Sequence, residues 1–323
     1  MKFTNNSNIP LGLAVWLVGD DYDYHLEPNY ISATTLLKPL KQIILSRRIN
    51  QDELSIDIEE LISTSMGSSF HTAIEYAWKD NYKSALKTLG YPDKVIDAVR
   101  INPDPKTVTN DDIPVYIEQR AIKEFNGFKV GGKFDLVIEG ILHDNKSTSA
   151  YTWMYGTKDE DYALQGSIYK WLHPDKVKED FIRINFIFTD WNKISALSNP
   201  KYPKHRCMYK DIPLLSNQEI EHWIETKLNL IKRYQNASED EIPDCTDEEL
   251  WRTETKFKYF ADASKTNGKS TKNFTSQAEA NQYWLETKKG KGTVIAVPGE
   301  PRRCKYCNAY SICQQRKRYF KDD

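Results

Sequence analysis

The sequence lacks any run of apolar residues long enough to cross a membrane, since no segment of its 323 residues approaches 18 consecutive apolar positions. It also lacks a surplus of charge: 45 Lys and Arg stand against 46 Asp and Glu, a formal net charge of −1. A global basic field is therefore excluded, although a local basic groove is not. The first residues carry no basic leader and no small-residue cleavage site, so we expect a cytoplasmic protein.

Cysteine is absent before position 207, and the five cysteines of the chain are Cys207, Cys245, Cys304, Cys307 and Cys313. In a cytosolic chain such residues are more often thiols or metal ligands than disulfides. The last three have the spacing Cys-x2-Cys-x5-Cys, which suits a soft-metal site. An all-cysteine site, whether zinc or iron–sulfur, needs a fourth ligand. Cys245 is the candidate, Cys207 and His205 are the alternatives, and inert reduced thiols are the other interpretation.

What the chain does contain is typical of a soluble globular protein with a substantial core: 39% hydrophobic, 28% charged and 12% aromatic residues, with 19 tyrosines. Its length allows one large domain or two small ones. Periodicity and turn residues predict helices flanking a small sheet, hence an α/β or α+β layered fold. The predicted helices are 32–48, 56–80, 84–100, 159–173, 216–236 and 275–289; 101–112 and 262–274 are predicted loops, 113–147 a β-meander and 181–188 a strand.

The meander has turns predicted at Asn126-Gly127, Gly131-Gly132 and Glu139-Gly140. The last of these joins predicted strands over 134–138 and 141–147. A two-residue turn there places Asp135 directly opposite Asp144, and Lys133 opposite Lys146. Like charges opposed in this way destabilise a sheet, so a positive group belongs between the two acids. A divalent metal is the economical candidate.

Asp144 and Lys146 are two apart on one predicted strand and therefore share a face. With Asp135 they form a cluster of two acids and a lysine, and carboxylates suit Mg²⁺ or Mn²⁺. The backbone carbonyl of Asn145 offers a further ligand. A metal in this position polarises a phosphoryl oxygen and lowers the pKa of a bound water, and Lys146 is placed to stabilise developing charge on phosphate. The alternative is an ion-pair patch on an exposed sheet face.

Two helical pairs add further polar residues. Gln165 and Tyr169 are four apart and project from one helix face, as do His71 and Glu75. An ordinary helix with a half-buried tyrosine and a packed or solvated histidine is the alternative. Glu118, at the start of the meander, is either a site residue or a plain strand-edge acid.

Taken together these elements resemble the RecB-type nuclease domain of the PD-(D/E)XK superfamily. Four motifs of that domain occur in the family's order: Gly67…His71, Gly132-Lys-Phe-Asp135, Asp144-Asn-Lys146 and Gln165…Tyr169. The resemblance implies a restriction-endonuclease-like core, a mixed sheet flanked by helices. It implies a single nuclease domain over residues 1–323, with the catalytic core over 56–191.

By the same resemblance, Asp135 and Asp144 are metal ligands and His71 is an additional ligand. Lys146 is the catalytic lysine. Gln165 and Tyr169 contact DNA or brace the active site. Lys133 and Glu118 have weaker claims.

The cysteine trio is similar to one that follows the catalytic core in CRISPR-associated RecB-like exonucleases and in the nuclease subunit of some bacterial helicase–nucleases, where it holds a [4Fe–4S] cluster. In those families the first ligand precedes the catalytic motifs, and here it does not. The element from Cys245 to Trp251 resembles phage-encoded relatives instead. The implied ligands are Cys245, Cys304, Cys307 and Cys313, in a structural segment over 245–313 packed on the core, with Zn²⁺ as the alternative metal.

DNA contacts are predicted on two kinds of side chain. Tyr151, Trp153 and Tyr155 follow the catalytic strand and are suited to stacking on single-stranded bases, with ordinary packing as the alternative. No feature indicates base-edge readout, so sequence-independent action is favoured. The candidate phosphate contacts are Arg47, Arg48, Lys265, Lys269, Lys272, Arg302, Arg303, Arg316, Lys317 and Arg318.

The sequence therefore favours a metal-dependent DNA exonuclease, using Mg²⁺ or Mn²⁺, that acts on single strands or duplex ends in recombination, repair or DNA degradation. A structure-specific endonuclease of the same fold is the enzymatic alternative. A non-catalytic nucleic-acid-binding protein with a structural metal cluster is the non-enzymatic one. The compartment expected is the cytoplasm, or the host cytoplasm if the protein is phage-encoded.

Overall fold

A computed structural model describes residues 2–19, 25, 27, 29–50 and 54–320. The chain divides into two compact units, Met1–Lys38 with Asn50–Lys232, and Pro39–Ile49 with Arg233–Asp323. The predicted catalytic core over 56–191 lies in the first unit, and the cysteine segment over 245–313 lies in the second. That the two belong to one nuclease domain stays a prediction.

The first unit is built on a seven-stranded mixed sheet, counted over the described residues. Its strands are β2 (Tyr30–Ser32), β4 (Val99–Ile101), β5 (Ile113–Phe125), β6 (Phe128–Ile138), β7 (Ile141–Thr148), β8 (Phe181–Phe188) and β9 (Cys207–Pro213). Their order in the sheet is β4-β5-β6-β7-β8-β9, and β2 lies beside β6. The pairs β4–β5, β7–β8 and β2–β6 are parallel, and the others are antiparallel. A separate parallel pair joins β1 (Lys2–Thr4) to β3 (Ser55–Asp57).

Two of the three predicted turns are confirmed. Asn126-Gly127 and Glu139-Gly140 have positive φ at both residues, between 48° and 84°, as a type I′ hairpin turn requires. The prediction at Gly131-Gly132 was wrong, because both residues lie inside β6. Glycine serves close packing there: a Cβ added at Gly132 would lie 2.8 Å from the Tyr169 ring, and one at Gly131 would meet the Tyr30 ring at 2.5 Å.

The register of the β6–β7 hairpin follows the prediction for three pairs, ending at Leu136–His143. Beyond that pair the strands separate, because β7 continues beside β8 in parallel while β6 continues beside β5. The predicted oppositions of Asp135 with Asp144 and of Lys133 with Lys146 fall just past this point and lie outside the β6–β7 register as described. Asp135 therefore lies where the hairpin opens.

Helices cover the sheet through apolar stripes. The helix predicted over 216–236 is confirmed as α10, whose buried residues Ile220, Ile224, Leu228 and Ile231 recur every three or four positions. The predicted helix over 32–48 is divided by Pro39, and Ser32 caps its first part by accepting the Thr35 N–H. The helices of this unit are α1 (Leu11–Val18), α2 (Ala33–Leu36), α4 (Ile62–Asp80), α5 (Tyr82–Thr88), α6 (Asp93–Ala98), α7 (Ala150–Tyr155), α8 (Asp159–Leu172), α9 (Lys193–Ser198) and α10 (Asn217–Tyr234), whose last residues lie past the unit boundary.

The second unit contains α3 (Leu40–Ser46) and a three-stranded antiparallel sheet, counted over its described residues, in the order β11-β10-β12. Its strands are β10 (Lys256–Phe260), β11 (Lys272–Phe274) and β12 (Thr293–Val297), and α11 (Gln277–Gln282) continues into a π-helical turn, Tyr283–Thr287. The chain is thus mixed α/β, with a mixed multistrand sheet flanked by helices. No described helix is both long and apolar enough to cross a membrane.

His173, directly after α8, gives the fold a dependence on pH. Its ring is 1% exposed and packs edge-on against Phe134, with the ring centroids 4.6 Å apart. Burial lowers the pKa of His173 to about 4 from 6.5. Between pH 6.5 and about 4, His173 binds a proton in the unfolded chain but not in the native chain. We therefore expect the free energy of unfolding to fall by roughly 2–3 kcal/mol as the pH drops from 6.5 to about 4.

Urea unfolding of the wild type and of His173→Gln at pH values from 7 down to about 4 isolates this contribution. The pKa of His143 is lowered to about 4 in the same way, and His143 is present in both proteins. The curve for His173→Gln should therefore be shallower but not flat. Parallel curves would show that His173 titrates normally in the native state.

Candidate active site

The site is built around an interruption in the β5–β6 ladder. The register pairs Ile117 with Leu136 and Gln119 with Phe134, and it skips the pair between them, Glu118 and Asp135. Glu118 has φ +50°, a left-handed backbone that a non-glycine residue rarely adopts inside a strand. Strain of this kind is concentrated at functional sites.

Asn102 holds the distorted backbone in place. Its side-chain Oδ1 accepts the Ile117 N–H at 2.8 Å and a Gln119 side-chain N–H at 3.0 Å. The residues on both sides of Glu118 are therefore anchored, and the two carboxylates are freed from regular pairing.

His71 reaches the same point from α4. Its Nδ1 lies 3.0 Å from Asp135 Oδ2, and the Asn145 backbone N–H donates to the same oxygen at 3.1 Å. Gly67 lies one turn earlier, and a Cβ added there would be in ordinary contact with Ser147 Oγ of β7, at 3.7 Å. The predicted Gly-x3-His element thus places its histidine against the predicted aspartate.

Three side chains form a candidate metal-binding group. One ligand atom from each of His71, Glu118 and Asp135 lies within 4.8 Å of the others. They line a cavity of about 10 Å³ together with Asn145. Two ligands of one Mg²⁺ are at most about 4.2 Å apart, twice the usual bond of about 2.1 Å. The group therefore needs a small inward movement to hold one such ion. Its two carboxylates suit Mg²⁺ or Mn²⁺, and its imidazole also suits Zn²⁺ or Fe²⁺.

The charge states of the three groups differ. The hydrogen bond with Asp135 raises the pKa of His71. Burial pushes the pKa of Asp135 upward, but His71, Lys146 and the Asn145 N–H outweigh it, and the pKa lies below its usual value. Burial raises the pKa of Glu118, and Lys133, with Nζ 2.5 Å from Oε2, opposes this only in part. Asp135 is therefore the permanent anion of the group.

The buried Asp144 and the half-buried Lys146 form an ion pair beside this group. Lys146 Nζ lies 2.6 Å from Asp144 Oδ2, and Asp144 is 2% exposed. Burial raises the pKa of Asp144, against the effect of Lys146. Burial alone would lower the pKa of Lys146, but the charges of Asp144 and Asp135 raise it, so the ammonium stays charged at neutral pH.

The predicted ligand set and the group found overlap in His71 and Asp135. In the described part of the chain, the metal-binding group contains Glu118 where the prediction had Asp144. Asn145, predicted to offer its carbonyl, lines the cavity, while its side chain accepts from Asn185 at 3.1 Å. Glu118 carried only a weak signal in the sequence, because neither its backbone distortion nor the skipped pair is visible there.

Gln165 and Tyr169 interact with each other on α8, Gln165 Nε2 donating to the Tyr169 hydroxyl at 3.1 Å. Tyr169 is 5% exposed and packs on Gly132, three residues before Asp135. Of the two predicted roles, DNA contact or brace, this placement favours the brace for Tyr169.

The strain at Glu118 is measurable by comparing Glu118→Gly with Glu118→Ala. Both remove the carboxylate, but only alanine keeps a Cβ at positive φ. We expect Glu118→Gly to be the more stable by about 1 kcal/mol in urea unfolding. Equal stability, or a more stable Glu118→Ala, would show that the left-handed backbone is absent in solution.

The four predicted cluster cysteines come together in the second unit, around a cavity of about 30 Å³. Burial raises the pKa of Cys245 to about 12 and that of Cys304 to about 11. Gln315 clamps the Cys245 backbone, accepting its N–H and donating to its carbonyl, both at 2.9 Å. Cys207 is exposed on β9, in the first unit.

The donor set of this cavity suits two kinds of metal site. Tetrahedral zinc is bound by four cysteine sulfurs at about 2.3 Å. A [4Fe–4S] cluster is likewise held by four cysteine thiolates. Cys245, Cys304, Cys307 and Cys313 offer the four thiols that either group requires.

Four of the predicted phosphate contacts interact with other parts of the chain. Arg316 is buried and its guanidinium lies 4.2 Å from the Tyr310 ring centroid. Arg318 pairs with Asp244 at 2.5 Å, and Arg303 lies over the Trp251 ring. Arg48 donates to three backbone carbonyls of residues 234–237.

Burial makes Arg316 unsuitable as a DNA contact. The exposed members of the predicted set are Arg47, Arg48, Lys265, Lys269, Lys272, Arg302, Lys317 and Arg318.

No protein-family model and no curated protein sequence matches the chain. Among solved structures, it is similar to the crystal structure of SSO0001, with a TM-score of 0.40 and 18% sequence identity over 64% of this chain and 79% of that one. A likeness this weak carries no argument about the activity.

Proposed function

We propose that this chain is a metal-dependent DNA exonuclease of the RecB-like PD-(D/E)XK type. The observation that carries the proposal is the convergence of His71, Glu118 and Asp135 on one small cavity beside the Asp144–Lys146 pair. The ordered motifs of the sequence supply all of these residues except Glu118, and the five residues come from one helix and three adjacent strands. The mixed sheet is compatible with the core of that superfamily.

In this proposal His71, Glu118 and Asp135 hold Mg²⁺ or Mn²⁺. When bound, the metal polarises a phosphoryl oxygen and acidifies a water molecule. Asp135 is held ionised by its neighbours. The Lys146 ammonium is kept charged by Asp144 and stabilises the negative charge that develops on the phosphate. Tyr169 accepts a hydrogen bond from Gln165 and packs on the strand that carries Asp135.

The cysteine set is proposed to hold a [4Fe–4S] cluster through Cys245, Cys304, Cys307 and Cys313, with Zn²⁺ as the alternative. The cluster is structural, because phosphodiester hydrolysis transfers no electron. The reduced thiols that assemble it persist in a reducing cytoplasm. DNA recombination, repair and degradation are the processes that this activity serves.

The test compares end-labelled linear DNA with a covalently closed circle of the same sequence, each with Mg²⁺, with Mn²⁺ and with EDTA. An exonuclease releases nucleotides from the linear DNA, requires the metal and leaves the circle intact. Cutting of the circle favours the endonuclease alternative. Metal-independent binding without cleavage of either substrate would overturn the enzymatic proposal and favour the nucleic-acid-binding alternative.

A further inference from the structure

Two exposed tyrosines lie side by side on α7. Tyr151 and Tyr155 are four residues apart, with ring centroids separated by 4.5 Å and ring planes 36° apart. They are 57% and 60% exposed. Trp153, by contrast, packs edge-on against Phe186 and Phe188 at 5.6 and 5.9 Å. Of the three aromatic residues that follow the catalytic strand, these two therefore present ring surface to solvent.

The position of this tyrosine pair is fixed relative to the candidate active site. Only Ser149 separates β7, which carries Asp144 and Lys146, from α7. The Ala150 N–H donates to Asp190 Oδ1 at 2.7 Å, and the Thr148 and Thr152 hydroxyls lie 3.0 Å apart. Because β7 and β8 are parallel, the segments that follow them meet at one edge of the sheet.

The segment that follows β8 supplies positive charge at that edge. Between Trp191 and Lys210 the sequence has no Asp or Glu. Tyr202 from this segment packs with Ala150 of α7, and Asn199 Nδ2 lies 3.8 Å from Met154 Sδ. The segment is therefore anchored against the helix that carries the tyrosine pair. Its exposed cations are Lys193, Lys201, Lys204 and Arg206.

We propose that Tyr151 and Tyr155 form a stacking platform for the unpaired bases of single-stranded DNA, whose phosphates lie along this basic segment. The inference rests on the proposed function and specifies its substrate as a single strand. Exposed ring faces stack on any base, while duplex bases are already stacked on one another. The cations without intervening acids are complementary to a phosphate backbone.

The test measures binding of a short fluorescein-labelled oligothymidylate by fluorescence anisotropy, in the Lys146→Ala background so that the strand is not digested. Replacing both residues together, Tyr151→Ala with Tyr155→Ala, should weaken binding about tenfold or more, since stacking contributes roughly 1–3 kcal/mol per base. Replacing both with Phe keeps the ring faces and should leave the affinity within about twofold. Tyr91→Ala removes a tyrosine that is 50% exposed elsewhere and is the matched control.

The contribution of the basic segment after β8 is tested by the salt dependence of single-strand binding. Lys201→Gln combined with Lys204→Gln should make the slope of log K against log salt shallower by about 1.4, near 0.7 for each lost phosphate contact on a single strand. Affinity for a blunt duplex should change little in the tyrosine variants. Unchanged single-strand affinity in the double alanine variant would overturn the platform, and the surface would then fit a protein partner.

Failure of the platform and failure of the proposed function give different results. If the wild type digests linear DNA but the tyrosine variants bind single strands normally, only the platform is wrong. If the wild type binds single strands through the tyrosines but no metal supports digestion, the platform stands and the nuclease proposal fails. A wild type that binds no single strand contradicts the platform directly.

Discussion

Replacing Lys146 with alanine should lower the rate of DNA hydrolysis by about 10²–10³-fold, because one positioned group that stabilises transition-state charge contributes about that much. Lys146 is half-buried and paired with Asp144, and the charges of Asp144 and Asp135 maintain its own charge. Release of label from linear DNA under saturating Mn²⁺ measures the effect. Lys129→Ala, an exposed lysine on β6 paired with Glu27, is the matched control and should stay within about twofold.

The substitution also leaves Asp144 buried without its partner. Removing one member of a buried ion pair destabilises a protein by about 3–5 kcal/mol, although Asp144 can take up a proton because burial already raises its pKa. Circular dichroism and urea unfolding must therefore accompany the assay. A folded Lys146→Ala protein that digests DNA at the wild-type rate would contradict the assignment of this lysine.

If the second unit holds the proposed metal cluster, replacing Cys304 with serine should remove that cluster and unfold the unit. Cys304 is buried, and a shared cluster would join it to Cys245, which lies outside the small three-stranded sheet of this unit. Binding free energy at a structural metal site is folding free energy, roughly 10 kcal/mol or more for structural zinc. We therefore expect the cooperative unfolding transition of this unit to disappear.

Metal analysis and visible absorbance of anaerobically purified protein check this prediction. The wild type should be brown with iron bound, and Cys304→Ser should be colourless. Cys207→Ser, which changes an exposed thiol in the first unit, should retain both iron and stability. Colourless wild-type protein with one zinc per chain would favour the alternative metal, and a metal-free wild type of full stability would refute the site.

Local chemistry made much of the fold predictable. Glu139-Gly140 and Asn126-Gly127 specify type I′ turns, and the β-branched and aromatic run over 181–188 specifies β8. The helix predicted over 32–48 begins at a residue type that caps helices, and Ser32 is the cap. The turn predicted at Gly131-Gly132 was wrong, because glycine permits close packing as well as a turn. The side chains that pack on these two residues are Tyr30 and Tyr169, which are distant in sequence.

The candidate site was predictable in membership more than in geometry. The motif order pointed to His71, Asp135 and Lys146. The register of one hairpin cannot reveal that the second half of β7 pairs with β8 and not with β6, because β8 lies 40 positions further along the chain. The hairpin register therefore predicts Asp144 opposite Asp135, whereas in the structure Asp144 is paired with Lys146. Glu118 enters the group through a backbone distortion held by Asn102, which no residue pattern encodes.

The central claim is that His71, Glu118 and Asp135 hold a divalent metal ion that the protein uses to hydrolyse DNA. The most direct measurement is the rate of label release from linear DNA as Mn²⁺ is raised, for the wild type and for Asp135→Asn. The account predicts a rate that saturates with Mn²⁺ in the wild type and stays at background in a folded Asp135→Asn protein. Equal, saturable digestion by both proteins would contradict it.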